Sequence, residues 1–373
     1  MARGLLGRGL EASCTLARVA PVLSEKNQPE ARAGDITVAT FTGGPRLPSA
    51  RLRVLQHESS LGNMGIHLRR FDSSHGLYPP DGGAARRTRW LVQELTSRAW
   101  QVTRSRFERQ DVSFLQREFV STVRTLEGLT QAPRVLDVDD AVWLVSRRDA
   151  ASKIASRCDL VVAGNSFLAE YFSRFAKVVV VPTAVDVDYY RPAADNLNSR
   201  TIIGWSGLSS GFSYLRHVTD AVRKLMVTHP GLEFHVLSDR APVLDLPADR
   251  VHFVEWSLQT EPRFLQSLSV GLMPLDATDW ERGKCSYKML AYLASGVPAV
   301  VSPVGMNLEV LARGDVGRQA STTDEWIGAL GELIDDPSLS RRLGANGRRL
   351  AVERYSNSVV APMIGSALRS VTR

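Results

Sequence analysis

The chain has 373 residues, 44% of them hydrophobic and 23% charged, with a formal net charge of +7. That length accommodates two domains or one large α/β domain with a substantial core, and no apolar run reaches the roughly 18 residues that span a bilayer. Three scattered cysteines, Cys14, Cys158 and Cys285, argue against a disulfide framework or a zinc site and fit a reducing cytoplasm. The positive charge points to anionic partners, whether nucleotide phosphates, acidic lipid or nucleic acid.

Residues 1–35 stand apart from the remainder of the chain. Arg3, Arg8 and Arg18 form a weakly amphipathic pattern ahead of a polar, Pro-containing link, without the continuous apolar stretch of a secretory signal. A disordered extension or a misplaced start codon is the expectation, a transit-like peptide the alternative, and the segment is set outside the fold. "ITVATFTGG" (36–44) then reads as a first strand feeding a glycine loop, and "SARLRVLQHESSLGNMGI" (49–66) as a helix, with Leu52, Leu55, Leu61 and Met64 at helical spacing. Short apolar runs bounded by turn signals recur at 111–116, 134–140, 158–165 and 177–183, with helical stretches between them. Such alternation is the pattern of a parallel, doubly wound sheet.

Pro192 and a polar cluster break this pattern, which places an interdomain linker at 191–200 after a first domain over 36–190. A second series begins at "TIIGWSG" (201–207) and continues through "LEFHVLS", "VHFVEW", "VGLMPL" and "PAVVSP". The fold class expected is α/β: two Rossmann-like doubly wound parallel-sheet domains facing a cleft, the second spanning 201–357. A last helix over 358–373 has the option of crossing back to the first domain.

In open α/β sheets ligands sit at the carboxyl ends of strands. After "VGLMPL" comes "DATDWERGKCSYKMLAYLASG", in which Leu290, Leu293 and Ala294 supply a core stripe while Lys284 and Lys288 share another face. Two cations four apart at a helix N-terminus repel each other and oppose the dipole, at a few tenths of a kcal/mol each. Either the helix has a solvated face there, or the lysines and free N–H groups converge on an anion such as a diphosphate, which turns both penalties into attraction.

"KMLAYLASGVPAVVSPVGMNLEVL" resembles the donor-binding segment of retaining GT-B glycosyltransferases of family 4. The blocks "LPSARLRVLQHESSLGNMGI", "DVSFLQRE", "LDVDDAVW", "CDLVVAGNSFLAEYF", "VVVVPTAVDVDYYRP" and "IIGWSGLSSGFSYL" come in the order of one subgroup, so the resemblance covers roughly residues 36 to 360. It implies a nucleoside-diphosphate-sugar as co-substrate and no cofactor. Carried over by position, it implies that Gly43 and Gly44 form the loop after the first strand, that Lys284 and Lys288 compensate the leaving diphosphate, and that Gly305, Met306 and Asn307 cradle sugar or phosphate, with Glu309 just beyond. Asp186 matches an aspartate that is a turn residue or a ligand contact.

The sequence also departs from the family pattern. Gly283 and Ala291 stand where two glutamates are usual, and Glu281, two residues before the first, takes over its role or is an exposed loop residue. The Arg/Lys pair after the first strand of the second domain is missing. Ser206, Gly207, Ser209 and Ser210 occupy that loop, which places more weight on the two lysines, with Arg282 as helper.

Asp137-Val-Asp139 is an Asp-x-Asp of the type that holds a metal in GT-A enzymes, but a GT-A domain does not need a second Rossmann half. No metal is therefore expected at the site, and His67, His75 and His235 receive no role. Asp139 and Asp140 align with a His–Asp pair facing the acceptor, so Asp139 is the candidate acceptor-side polar or base residue, with strand-end capping as the alternative. Arginine is dense from Arg51 to Arg109, interleaved with Trp90 and Trp100. This is a solvated basic face, or a surface for anionic membrane or for a glycan or lipid-linked acceptor. Arg51 and Arg53 are the arginines expected in the cleft. No nucleic-acid module is recognised.

The expected activity is retaining, metal-independent sugar transfer to an acceptor hydroxyl. A GT-B epimerase or phosphorylase, and a catalytically degenerate sugar-nucleotide binder, are the alternatives.

Overall fold

The structure, a computed structural model, describes residues 34–121, 123–145, 149–193 and 200–372. The extension assigned to residues 1–35 lies, up to residue 33, outside the described residues, as do 194–199 of the segment assigned as linker.

Among the described residues twelve strands form two six-stranded sheets, parallel throughout. The first holds β1 (Ile36–Thr42), β2 (Ile66–Asp72), β3 (Val112–Gln116), β4 (Arg134–Val138), β5 (Leu160–Ala163) and β6 (Val178–Val180), in the spatial order β2-β1-β3-β4-β5-β6. The second holds β7 (Thr201–Ser206), β8 (Leu232–Ser238), β9 (Val251–Glu255), β10 (Val270–Met273), β11 (Ala299–Val301) and β12 (Gly317–Gln319), in the order β12-β11-β10-β7-β8-β9. Strands buried on both faces read as unbroken apolar runs rather than alternating ones. Val161, Val162 and Ala163 of β5 and Ala299, Val300 and Val301 of β11 are each fully buried.

Both orders reverse direction once. The first sheet turns between β1 and β3, the second between β7 and β10, and such switch points open a crevice at the strands' carboxyl ends. An apolar core continues across the domain boundary, from Phe41, Leu136 and Val138 to Cys285, Met289 and Leu290. The final helix, Asn357–Arg369, packs Val360, Ile364 and Leu368 into the core under the first sheet. Arg369 fastens it by donating to the carbonyls of Gly34 and Met64, both at 2.7 Å.

One sequence expectation is corrected. Residues 49–66 are not one helix: Pro48–Arg53 and Glu58–Asn63 are separate turns broken at Val54 (φ −130°). Gly65 then takes a left-handed φ of +71°, open to glycine at little cost, and delivers Ile66 into β2 beside β1. The helical spacing of the leucines is real, but the glycine ends it.

Candidate active site

The two crevices face each other across a narrow seam. Asn165 shapes it: its Oδ1 caps the helix Ser166–Phe172 by accepting from the Leu168 N–H at 2.9 Å, while its Nδ2 donates to the carbonyls of Arg282 and Lys284 across the domain boundary. Gly283 lies directly on Ala141, and a Cβ there would come within 2.7 Å of the Ala141 nitrogen. The absence of a side chain at 283 therefore lets the domains touch. Cys285 donates its thiol to the Asp139 carbonyl at 3.3 Å, and Arg282 lies 4.4 Å over the Phe167 ring. Ser166 also donates to Glu309 across the seam.

On the second domain, the helix following β10 is broken. Asp279–Arg282 forms one turn, Lys284 and Cys285 lie in a loop, and Ser286 at φ +51° precedes the helix Tyr287–Ala294. Lys284 is thus ahead of the helix and Lys288 is its second residue, so they do not form the helical i,i+4 pair that the spacing suggests. Each instead rests on an aromatic face. The Lys288 Nζ rests 4.2 Å over the Trp205 ring at the end of β7, close enough to Gly207 that a Cβ there would lie 2.4 Å from it. The Lys284 Nζ is 5.1 Å over Trp280. Burial, then repulsion from Lys284, pushes the Lys288 ammonium down to about 7. Among the described residues neither lysine has a carboxylate at salt-bridge distance; their partners are ring faces, worth about 0.5–2 kcal/mol each.

Several residues expected to touch donor are instead committed internally. Glu281 is buried and its carboxylate accepts from Tyr214 Oη at 2.5 Å and from Thr278 Oγ1. Asn307 is fully buried, accepting from Ser286 Oγ at 2.7 Å and donating to the Ser302 carbonyl at 2.9 Å. Its side chain holds the left-handed Ser286 in place and is not available to a sugar. Met306 is buried beside it, and Gly305 (φ +52°) passes against the Arg282 backbone. Ser206 is buried, its N–H donating to Tyr292 Oη.

On the first domain, β1 ends in Thr42-Gly43-Gly44, and the Gly44 N–H donates back to Thr42 Oγ1 at 2.9 Å. Arg53 requires a correction. It is not in the cleft: it is 1% exposed, its Nε and Nη2 grip Asp137 at 2.6–3.2 Å, and its Nη1 donates to the Val181 carbonyl. Two groups of the strand-end blocks thus neutralise each other inside the domain. Arg51 is half-buried and reaches over Trp256 of the second domain at 5.6 Å.

Asp139 and Asp140 follow β4 and are half-buried. Burial first, then Asp140, raises the Asp139 carboxyl to about 7, and its Oδ1 is buried with no hydrogen-bond partner. Asp140 lies 3.8 Å from Arg117. Arg117, not singled out in the sequence, occupies the β1/β3 switch in a left-handed conformation (φ +62°). Burial opposes its charge, but Glu118, Tyr78, Asp139 and Asp140 together hold the guanidinium above its ordinary value. The rule that strand ends carry ligands would have found Arg117, which directly follows "DVSFLQ". Trp280 lies only four residues before Lys284 and is legible locally, but nothing in the local sequence signals Trp205, whose pairing with Lys288 is tertiary, or Asp239, which accepts from Ser209 N and Oγ at 2.5 and 2.9 Å.

Comparison with known proteins bears on the fold and on the second domain. The family described as glycosyl transferases group 1 matches residues 201–336. Over 232 residues the chain is 26% identical to an MMP alpha-(1->4)-mannosyltransferase of Mycolicibacterium hassiacum, a match covering 58% of this chain and 55% of that protein. The chain thus spans about half the length of that curated relative. Among solved structures, the sucrose-phosphate synthase from Thermosynechococcus elongatus superposes with a TM-score of 0.66 at 13% identity, covering 90% of this chain and 99% of that one. Anabaena Alr3699/HepE in complex with UDP-glucose gives 0.65 at 13% identity, covering 90% and 100%. The fold is GT-B, and the second domain is similar to the glycosyl transferases group 1 family over residues 201–336.

Proposed function

We propose that the chain transfers a hexosyl group from a nucleoside-diphosphate-sugar to an acceptor hydroxyl with retention of configuration and without a metal ion. The observation that carries this reading is the placement of Lys284 and Lys288 at the β7/β10 switch, stacked on tryptophans with no carboxylate at salt-bridge distance among the described residues. Asp139, its carboxyl raised to about 7, lies across the domain boundary, where Cys285 reaches its carbonyl. The mannosyltransferase relative and the UDP-glucose complex of Alr3699/HepE support a sugar nucleotide as donor.

As the glycosidic bond breaks, negative charge grows on the diphosphate. Cations already in place at that position interact more strongly with the leaving group than with the bound donor, and that difference lowers the barrier. Because the Lys288 ammonium has given up hydration and gained a ring contact, a diphosphate supplies the charge that the protein withholds. Across the seam, Asp139 accepts a hydrogen bond from the acceptor hydroxyl, and Arg117 holds Asp140 and limits the charge that accumulates beside it. Glu281 does not replace the missing carboxylates by direct contact. It braces Tyr214 and the turn that carries Arg282 and Lys284.

The acceptor side carries a second feature. The helix Ala84–Phe107 buries Trp90, Glu94, Arg98, Val102 and Ser105 along one stripe. The opposite face exposes Val92, Trp100 and Phe107, the last two at 67% and 88%, beside the exposed Arg89 and Arg106. A cationic face with large apolar side chains suits an anionic membrane surface or a lipid-linked acceptor. Among the described residues no helix is long and apolar enough to cross a membrane.

A catalytically silent binder is the second reading, favoured by Gly283 and Ala291 at the usual glutamate positions. Incubation with UDP-, GDP- and ADP-sugars, then assay for released nucleoside diphosphate with and without a glycan or glycolipid acceptor, separates them. Release with an α-linked product from an α-donor supports transfer with retention. Binding without release from any donor supports the silent binder, and release of an inverted product or of a free epimer overturns the transfer reading.

A further inference from the structure

Outside the cleft, Glu233, His235 and His252 converge on the second sheet. Strand geometry brings them together. Alternate residues of β8 point to opposite faces, so Leu232, Phe234 and Val236 fill the core while Glu233 and His235 share the other face. Parallel register places His252 of β9 directly beside His235. The two imidazole rings are 4.8 Å apart. Both Nε2 atoms turn to one carboxylate oxygen, Glu233 Oε2, at 2.8 Å from His235 and 3.5 Å from His252. The second oxygen, Oε1, accepts from Arg200 at 2.7 Å, which fixes the carboxylate's orientation.

We infer that Glu233, His235 and His252 form a binding site for one borderline divalent transition-metal ion, Zn²⁺ by preference, that staples the edge strand β9 to β8. Among the described residues this is the one group of three ligand-type side chains whose donor atoms all lie within 4.8 Å of one another. Two imidazoles and a carboxylate, with a solvent molecule in the fourth position, are a ligand set suited to zinc, cobalt, nickel or copper and poorly suited to magnesium or calcium. Zinc–ligand bonds of about 2.0–2.2 Å arranged tetrahedrally separate the donor atoms by roughly 3.4 Å. The His252–Glu233 spacing already matches, and the His235–Glu233 hydrogen bond has to open by about half an ångström, a small rotation of an unbranched glutamate. The side chains of Glu233 and His235 are 14% and 16% exposed, on rigid strands, while that of His252 at 44% leaves an entry path. Arg200 supplies the outer hydrogen bond that ligating carboxylates use to stay oriented.

The site lies at the sheet edge, in the first half of β8, away from the strand ends that form the cleft, so it is independent of the proposed transfer reaction. The separation of 17 positions between His235 and His252 hides it from any local spacing rule.

The test uses the tag-free full chain, stripped with chelator, in equilibrium dialysis against Zn²⁺ and in titration with Co²⁺ monitored by visible absorption. The expected result is one saturable equivalent of Zn²⁺, tetrahedral Co²⁺ bands, and a rise in Tm with Zn²⁺ but not with Mg²⁺. His252→Ala and Glu233→Gln should each weaken binding at least tenfold, the loss typical of even an outer-shell partner, with far-UV circular dichroism unchanged because His252 lies on an exposed edge. His229→Ala, at a histidine paired instead with Asp335, should bind as wild type. The absence of saturable Zn²⁺ binding, or an equivalent that persists in both His252→Ala and Glu233→Gln, overturns the inference.

Discussion

The two halves of this molecule solve the same structural problem and treat buried charge in opposite ways. Each folds a six-stranded parallel sheet with one switch point, and each sets a left-handed non-glycine residue by its crevice, Arg117 in the first domain and Ser286 in the second. In the first domain the buried cations are matched from within: Arg53 by Asp137, Arg98 by Glu94, Arg117 by Glu118 and Asp140. In the second, Lys284 and Lys288 are given tryptophan faces instead of carboxylates. Paired charge holds a domain together, whereas charge left without a counter-ion at a strand end is what the proposed function assigns to a ligand. Local composition cannot distinguish the two, because both look like basic residues near apolar runs.

Deleting one cation of each kind is the most direct way to break this contrast. Arg53→Met should destabilise the chain by about 3–5 kcal/mol, since it strands Asp137 in the interior, and denaturant unfolding measures this. Lys288→Met should leave stability unchanged or raised, because it removes a desolvated charge, yet lower kcat roughly 10²–10³-fold on whichever donor is turned over. Equal stability losses in the two variants would erase the distinction.

The next effect is one of pH. Under the proposed function donor binding requires protonated Lys288, whose ammonium stands at about 7 in the free protein and would rise when a diphosphate binds. Affinity should therefore fall as pH rises above about 7, by up to about tenfold per unit, with close to one proton taken up on binding at pH 8. Calorimetry in buffers of different ionisation enthalpy reads this uptake, which Lys288→Met should abolish. In kcat/KM for the acceptor, Asp139 should contribute an acidic limb near pH 7, present because the carboxyl must ionise before it accepts a hydrogen bond. Asp139→Asn should flatten that limb. A profile unchanged by the substitution removes Asp139 from the reaction. The smallest effect should come from Gly283→Ala, whose Cβ meets Ala141 across the seam. It should raise the radius of gyration in solution scattering slightly and KM more than kcat.

The alternation of strands and helices is legible because buried parallel strands leave unbroken apolar runs, and so are two sheets facing a cleft. Strand β2 escapes a sequence reading because the leucines before it keep helical spacing up to Gly65. The lysines stand out from their place after "VGLMPL", but the local reason is different from the one their spacing suggests. They are not neighbours on one helix, because the left-handed Ser286 starts the helix between them, and each rests on a different tryptophan. Arg53 is misread as a cleft residue because its partner, Asp137, is 84 residues away, a pairing that only the folded sheet creates.

The central claim is that the second domain's lysines await a diphosphate. The direct measurement is isothermal titration of UDP, GDP and ADP into the wild-type chain and into Lys284→Met/Lys288→Met at pH 7. Saturable binding of at least one nucleotide to the wild type, weakened a hundredfold or more in the doubly substituted chain that keeps its Tm, is the expected result; each lost charge-assisted contact is worth about 1.5–3 kcal/mol. Equal affinity in the two proteins, or no nucleotide binding to the wild type, would contradict it.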